Sequence, residues 1–222
     1  INTYGYNLAP GSKELTALNY YTNEEITIPL DPTQTPGENA QRYFAKYNKQ
    51  KRTFEALTEL IQETADDIQY LESISNALDI SLSEADLAQI KEELMQSGYV
   101  RRKHTKKKVK LTSKPMHYIS SDGYDMYVGK NNLQNEELTF SFANGNDWWF
   151  HAKGAPGSHV IVKSGGDELP DRTFEEAGRL AAYYSKNRGS DKVEIDYIQK
   201  KHVKKPNGAK PGFVVYYTNY SL

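Results

Sequence analysis

Residues 144–163 read NGNDWWFHAKGAPGSHVIVK. Two short apolar segments flank a turn, and hydrogen-bonding and aromatic groups crowd between them. WWFHA (148–152) alternates like a half-buried strand, and HVIVK (159–163) carries the continuous apolar run of a fully buried one. Pro156-Gly157 forces a tight turn between them, around which Ser158 and His159 can hydrogen-bond. Strand alternation sends one tryptophan inward, so Trp149 and Val160-Ile161-Val162 are assigned to the core and Trp148 to a partly exposed position. Asp147, His151, Lys153, Ser158 and His159 are then left over as a polar surface site on the edge of a sheet.

Short strands continue on both sides. HYISSDGYDMYVG (117–129) predicts a hairpin turning at Asp122-Gly123. LTFSFA (138–143), KVEIDYIQK (192–200) and GFVVYYT (212–218) read as further strands, the last closing the domain. Residues 171–188 form an amphipathic helix with Phe174, Ala177, Leu180, Ala181 and Tyr184 on one face. This is an α+β domain, a mixed or antiparallel sheet with one main helix.

The first hundred residues follow other rules. NYYTNEEITIPL (19–30) favours extended structure, and Pro29, Pro32 and Pro36 exclude a helix there. A long helix starts after Pro36. Tyr47, Phe54, Ile61 and Ile68 recur every seven residues, and Leu57, Leu71 and Leu78 follow a second seam. No second heptad helix exists in the chain. The expected partner of this half coiled coil is therefore an upstream helix of a longer protein or a second copy. A shorter helix is capped by Ser83 with Asp86, buries Leu87, Ile90 and Leu94, and stops at Gly98. The chain thus divides into an arm (1–98), a basic linker (99–114) and the sheet domain (115–222).

Charge separates these modules. Net charge is −1 over 222 residues, yet residues 1–100 hold 7 Lys+Arg against 16 Asp+Glu and residues 101–222 hold 21 against 13. The second part is thereby drawn to polyanions. Eight Lys+Arg and no acid lie between 101 and 114, including Lys106, Lys107 and Lys108. That run reads as a solvated linker or as a phosphate-binding arm. KKHVKKPNGAKPG (200–212) sets Lys200, Lys201, Lys204, Lys205 and Lys210 in a loop between strands, a phosphate cradle facing away from the acidic half. Trp148, Trp149, His151, Tyr124 and Tyr127 supply flat groups for stacking on unpaired bases.

Other chemistries find little purchase. There is no cysteine, and therefore no disulfide or thiol chemistry. His151 and His159 stand eight apart on different predicted strands, without metal-ligand spacing. Ser158, a histidine and Asp147 can be drawn as a triad, but no nucleophile elbow accompanies them. No metal, cofactor or catalytic group is called for. No apolar run reaches membrane-spanning length. INTYGYNLAP at the start has neither a signal peptide's pattern nor an initiator Met, so the chain is expected to begin inside a longer protein.

Long motifs carry a resemblance. GKNNLQNEELTF (129–140), DWWFHAKGAPGSHVI (147–161), AAYYSKNR (181–188) and VEIDYIQKKHVKKPNGAKPG (193–212) together resemble the NFACT-R domain. NYYTNEEITIPLDP (19–32), NAQRYFAKYNKQK (39–51) and the heptad helix resemble the middle and coiled-coil part of the same proteins. Nearly the whole chain is covered, and it looks like the C-terminal half of a streptococcal member. The NFACT family includes bacterial ribosome quality-control factors and streptococcal and staphylococcal fibronectin/fibrinogen-binding proteins. The resemblance implies a non-catalytic RNA-binding part that works with tRNA and the large ribosomal subunit in the cytoplasm, rescuing stalled ribosomes. The family's Asp-Arg pair for C-terminal tailing belongs to an N-terminal domain and matches no position here. The alternative it implies is an adhesin that binds fibronectin or fibrinogen at the cell surface without a signal peptide. For the RNA-binding reading the expected nucleic-acid set is Lys106, Lys107, Lys108, Asp147, Trp148, His151, Lys153, Ser158, His159, Lys204, Lys205 and Lys210.

Overall fold

A computed structural model describes residues 1, 3–101, 113–217 and 219–222. Lys106, Lys107 and Lys108 lie outside the described residues. Composition divides the chain near 98 and 115, whereas contacts group it as Ile1–Ala65 and Asp66–Leu222.

Within Ile1–Ala65, strands β1 (Glu14–Asn19) and β2 (Glu24–Pro29) form an antiparallel hairpin in register Glu14↔Pro29. Helix α1 (Pro36–Asp79) begins in this unit. Thr35 and Glu38 cap it reciprocally: Thr35 N donates to Glu38 Oε2 at 2.7 Å, and Glu38 N donates to Thr35 Oγ1 at 3.3 Å. Buried Asn39 ties down the entry, accepting from Asp31 N and donating to the carbonyls of Asp31, Gln34 and Thr35. Tyr43 donates its hydroxyl to Pro29 O at 2.6 Å, which fixes the helix against the hairpin.

Within Asp66–Leu222, the rest of α1 is followed by α2 (Glu84–Gln96). Ser83 caps α2 by accepting from Asp86 N, and Asp86 reaches back to accept from Leu82 N. Gly98, at φ +82°, closes it, with Tyr99 N and Val100 N both donating to Leu94 O. Ile90 is buried and Leu94 partly so, but Leu87 is exposed, because the face of α2 that packs is narrower than the apolar spacing suggests.

The sheet has six strands in the order β3-β4-β6-β5-β7-β8, every pair antiparallel. They are β3 (Met116–Ile119), β4 (Asp125–Val128), β5 (Trp148–Ala152), β6 (Val160–Val162), β7 (Ile195–Gln199) and β8 (Tyr220–Ser221). The β3–β4 hairpin turns through Gly123 at φ +90°, where a side chain would be strained. Pleating gives the sheet two faces. Phe150, Ala152, Val160, Val162 and Ile195 pack on one, under helix α4 (Asp171–Tyr183) with its Phe174, Ala177 and Ala181. Trp149, Ile161 and Ile198 pack on the other, with Leu138, Ala143 and Val203. β5 and β6 are interior strands, so the quoted stretch does not lie at a sheet edge.

Two expected strands are absent among the described residues. Residues 132–142 form helix α3 (Asn132–Glu137) running into a π-helix (Leu138–Phe142). This packs Leu138 and Thr139 against the second face, which a strand there would not reach. Residues 212–217 form no strand and have one β-bridge, Lys204↔Val215, among the described residues, and the closing strand is β8 instead. Among the described residues, no helix is long and apolar enough to cross a membrane.

Candidate nucleic-acid interface

The second face of the sheet opens into a cleft of about 190 Å³. Its floor is Trp149, His151 and His159, one wall is the Gly154–Gly157 turn, and the other is Gly212–Val214 with Tyr216. Asn132 and Asn135 of α3, and Gln69 and Ser73 of α1, complete it. Every one of these residues belongs to Asp66–Leu222.

Four rings pack together here. His151 stacks on Trp149 with centroids 5.6 Å apart, His159 meets it edge-on at 5.1 Å, and Tyr216 lies tilted at 5.2 Å. The two imidazoles stand perpendicular at 5.4 Å. Burial holds the His151 pKa down to about 4, despite the backbone at Gly157 and the nearby Asp196 carboxylate, which act the other way. Burial also drives His159 well below its ordinary value, and His151 adds to the effect. Both rings are therefore neutral at physiological pH.

Asn135 aligns the site. Its Oδ1 accepts from His159 N at 3.0 Å and its Nδ2 donates to Gly157 O at 3.3 Å, so one amide holds the chain on both sides of Ser158, where the turn enters β6. That reach requires Gly129: a Cβ there would come within 2.1 Å of Asn135 Oδ1. His159 Nδ1 is 2.7 Å from Thr139 Oγ1 and 3.2 Å from Asn135 O. Asp196, opposite His151 in register, accepts from Tyr216 Oη at 2.8 Å, Asn219 Nδ2 at 2.6 Å and Ser221 Oγ at 2.9 Å. Burial and that carboxylate push the Tyr216 hydroxyl above its usual range. Asn132 Nδ2 donates to Ser73 Oγ and Glu93 Oε1, linking α3 to both preceding helices.

The expected surface site disperses. Asp147 is buried and structural, accepting from Asn144 N, Ser164 N and the Lys163 ammonium at 2.5 Å. Ser158 is buried as well, and its Oγ has no hydrogen-bond partner among the described residues. The Ser–His–Asp drawing thus has no bonded nucleophile, and its Asp147 is committed elsewhere. His159 is buried rather than on the surface, because the apolar run of β6 carries it inward. Lys153 is exposed and pairs with Glu194 at 3.3 Å. Trp148 packs edge-on against Phe174 at 4.9 Å on the opposite face, and Trp149 has no exposed face, so neither is a free stacking platform. Tyr127 stacks on His117, and Tyr124 packs into the core under α4.

The lysine loop does not face away from acidic groups. Lys205 pairs with Glu136 at 2.6 Å, and Lys210 pairs with Asp67 at 2.5 Å while lying over Tyr70 and Tyr99. Lys204 is exposed, as is Lys201, and neither forms an ion pair among the described residues. Gln69, Ser73, Asn132, Asn135, Trp149 and Tyr216 are cleft residues with hydrogen-bonding side chains outside the expected set. For Asn132 and Asn135 the one local signal is the cluster of amides in KNNLQN (130–135), which does not tell which groups they bind.

The sequence and the fold have known relatives. Residues 1–113 match the NFACT N-terminal and middle domains, and residues 114–217 match the NFACT protein RNA binding domain. The chain is 48% identical over 199 residues to the Rqc2 homolog RqcH of Streptococcus pneumoniae, covering 89% of this chain and 36% of that protein. It is 43% identical over 222 residues to the Rqc2 homolog RqcH of Bacillus subtilis, covering 98% of this chain and 38% of that protein. It therefore spans well under half the length of these curated relatives. Its fold resembles the C-terminal part of the fibronectin/fibrinogen-binding protein from Streptococcus suis, with TM-score 0.77 and 46% identity over 85% of this chain and 75% of that one. With a buried-amide cleft, a six-stranded sheet and two consecutive family matches that together reach from residue 1 to residue 217, the chain belongs to the NFACT family.

Proposed function

We propose that this chain is the RNA-binding, non-catalytic part of a cytoplasmic ribosome quality-control factor, engaging tRNA and the large ribosomal subunit when translation stalls. The observation that carries the reading is the match of residues 114–217 to the NFACT RNA binding domain. Relatives at 43–48% identity named Rqc2 homolog RqcH support it. So does the excess of 21 Lys+Arg over 13 Asp+Glu in residues 101–222, which suits a polyanionic partner. Binding rather than turnover fits a cleft whose two imidazoles are neutral and in which the Ser158 hydroxyl bonds neither of them.

The name of the Streptococcus suis neighbour supplies a second reading, a fibronectin- or fibrinogen-binding surface. A single experiment separates the two. Affinity of the chain for unfractionated tRNA and for fibronectin is measured at several salt concentrations. RNA binding should fall steeply with salt, by about 0.7–0.9 log units per log unit of salt for each phosphate contacted. Fibronectin binding that is insensitive to salt, with no tRNA affinity, would displace the RNA reading.

A further inference from the structure

The lining of the cleft selects its occupant. Among the described residues that line it, none is Lys, Arg, Asp or Glu. A phosphate would need cationic partners, and a buried carboxylate or ammonium would need a counter-charge. The lining offers instead carboxamides, two hydroxyls, two uncharged imidazoles and the indole of Trp149. A neutral imidazole presents one donor and one acceptor, and a carboxamide presents both. The indole is the least satisfied of these groups: Trp149 Nε1–H is buried and finds no acceptor among the described protein atoms. Native structures rarely leave such a donor without a reason. At about 190 Å³ the cleft is smaller than the roughly 300–1,000 Å³ of pockets for drug-sized ligands, so it has room for one small ring system.

We propose that this cleft receives a single unpaired nucleobase of a bound RNA. The base is held by the Trp149 indole N–H and the polar edges of His151 and Asn132, with its sugar-phosphate left outside. Lys204 pairs through its backbone with Val215, the neighbour of cleft-lining Val214, and is placed for a flanking phosphate. Sequence-independent charge attraction and one inserted base are separate contributions. The assignment rests on the RNA-binding reading above, and its test keeps the two apart.

Labelled RNA hexamers (oligo-A, oligo-C and oligo-U) are compared with an abasic hexamer of identical sugar-phosphate backbone at one ionic strength. At least one base-bearing hexamer should bind roughly 5- to 100-fold tighter than the abasic one. That margin should vanish in Gln69→Trp, which plugs the mouth from an exposed helix position, and shrink in His151→Phe. Circular dichroism verifies that both variants fold. The chain has two tryptophans, so two indole N–H resonances appear in a proton–nitrogen spectrum, and Trp148→Phe assigns them. The Trp149 resonance should move on binding the hexamer and stay unmoved with the abasic one. Equal binding of base-bearing and abasic hexamers, with a steep salt slope, overturns the base cleft and leaves the RNA reading standing. A base-dependent margin that survives Gln69→Trp also overturns it, by placing the base elsewhere. Failure of every hexamer and of tRNA to bind at low salt overturns both.

Discussion

Lys130, two residues past the end of β4, places its ammonium 2.5 Å from the buried carboxylate of Asp86 in the first turn of α2. Ser113 and Leu82 N also donate to that carboxylate. Burial alone would raise its pKa, but Lys130 and the hydrogen bonds outweigh burial and hold it below the ordinary carboxylate range. The pair therefore fastens α2 to the sheet.

Asp86→Asn leaves Lys130 largely enclosed without its counter-charge. The expected loss is about 3–5 kcal/mol, the usual cost of breaking a buried pair from one side. Urea unfolding reads it as a lower midpoint at unchanged slope. Because the folded pKa of Asp86 is depressed, its stabilisation is complete above the unfolded value of about 3.9 and is lost as pH falls further.

The histidine pair produces a pH dependence in a different window. Unfolded histidine binds its proton near pH 6.5, whereas folded His151 does so only at about 4. Between those values the unfolded chain takes up protons that the fold refuses, so stability declines as pH falls from about 6.5. For His151 the loss at pH 5 reaches up to about 2 kcal/mol. Thermal melts at pH 7 and pH 5 measure it, and His151→Phe should reduce the difference, leaving the part that buried His159 contributes.

Gly129→Ala is expected to be severe for so small a change. The added methyl would sit 2.1 Å from Asn135 Oδ1 and displace the amide that holds His159 N and Gly157 O. Losing these bonds and shifting the turn should cost about 2–4 kcal/mol. Differential scanning calorimetry measures this loss, and a wild-type melting temperature would show that the turn does not depend on Asn135.

The lysines of the 200–212 loop should not be equivalent. Lys210 already has Asp67 as counter-ion, so Lys210→Gln should leave the salt slope of tRNA binding nearly unchanged and cost under about 1 kcal/mol of stability. Lys204→Gln should lower that slope by about one unit. Equal slopes for the two variants would mean that the Asp67 pair opens on binding.

The apolar stripe of α1 makes the last prediction. Phe54 is 72% exposed and Ile61 67%. Heptad stripes of this kind are covered in solution. Sedimentation velocity should show concentration-dependent self-association, abolished by Ile61→Glu. A strict monomer at high concentration would leave the stripe to an upstream helix.

Much of this fold was legible in the sequence, and the failures are instructive. The hairpin at Gly123, the long helix, α4 and the strands β5, β6 and β7 follow from periodicity and turn residues, because each signal is local. LTFSFA misled because alternation over six residues fits a strand and a tight helical turn alike. Leu138 settles it by packing with Trp149 and Ile161, and Thr139 by reaching His159 Nδ1. The cleft was half legible: His151 and His159 stood out, but Asn135 acts across 22 and 24 residues of sequence, which no local pattern encodes. The lysine loop failed for the same reason. Asp67, which neutralises Lys210, lies 143 residues away.

The RNA binding domain matches from residue 114, yet the compact unit that contains it begins at Asp66. Tyr70, Ile74, Ala77 and Ile90 form a core cluster that Phe213 packs against, and Ser73 and Glu93 accept from Asn132 at the cleft. A gene segment cut at the family boundary would leave those partners behind. The domain is therefore not a self-sufficient cassette. In any fusion or rearrangement, it stays intact only when the final turns of α1 and the whole of α2 are inherited with it.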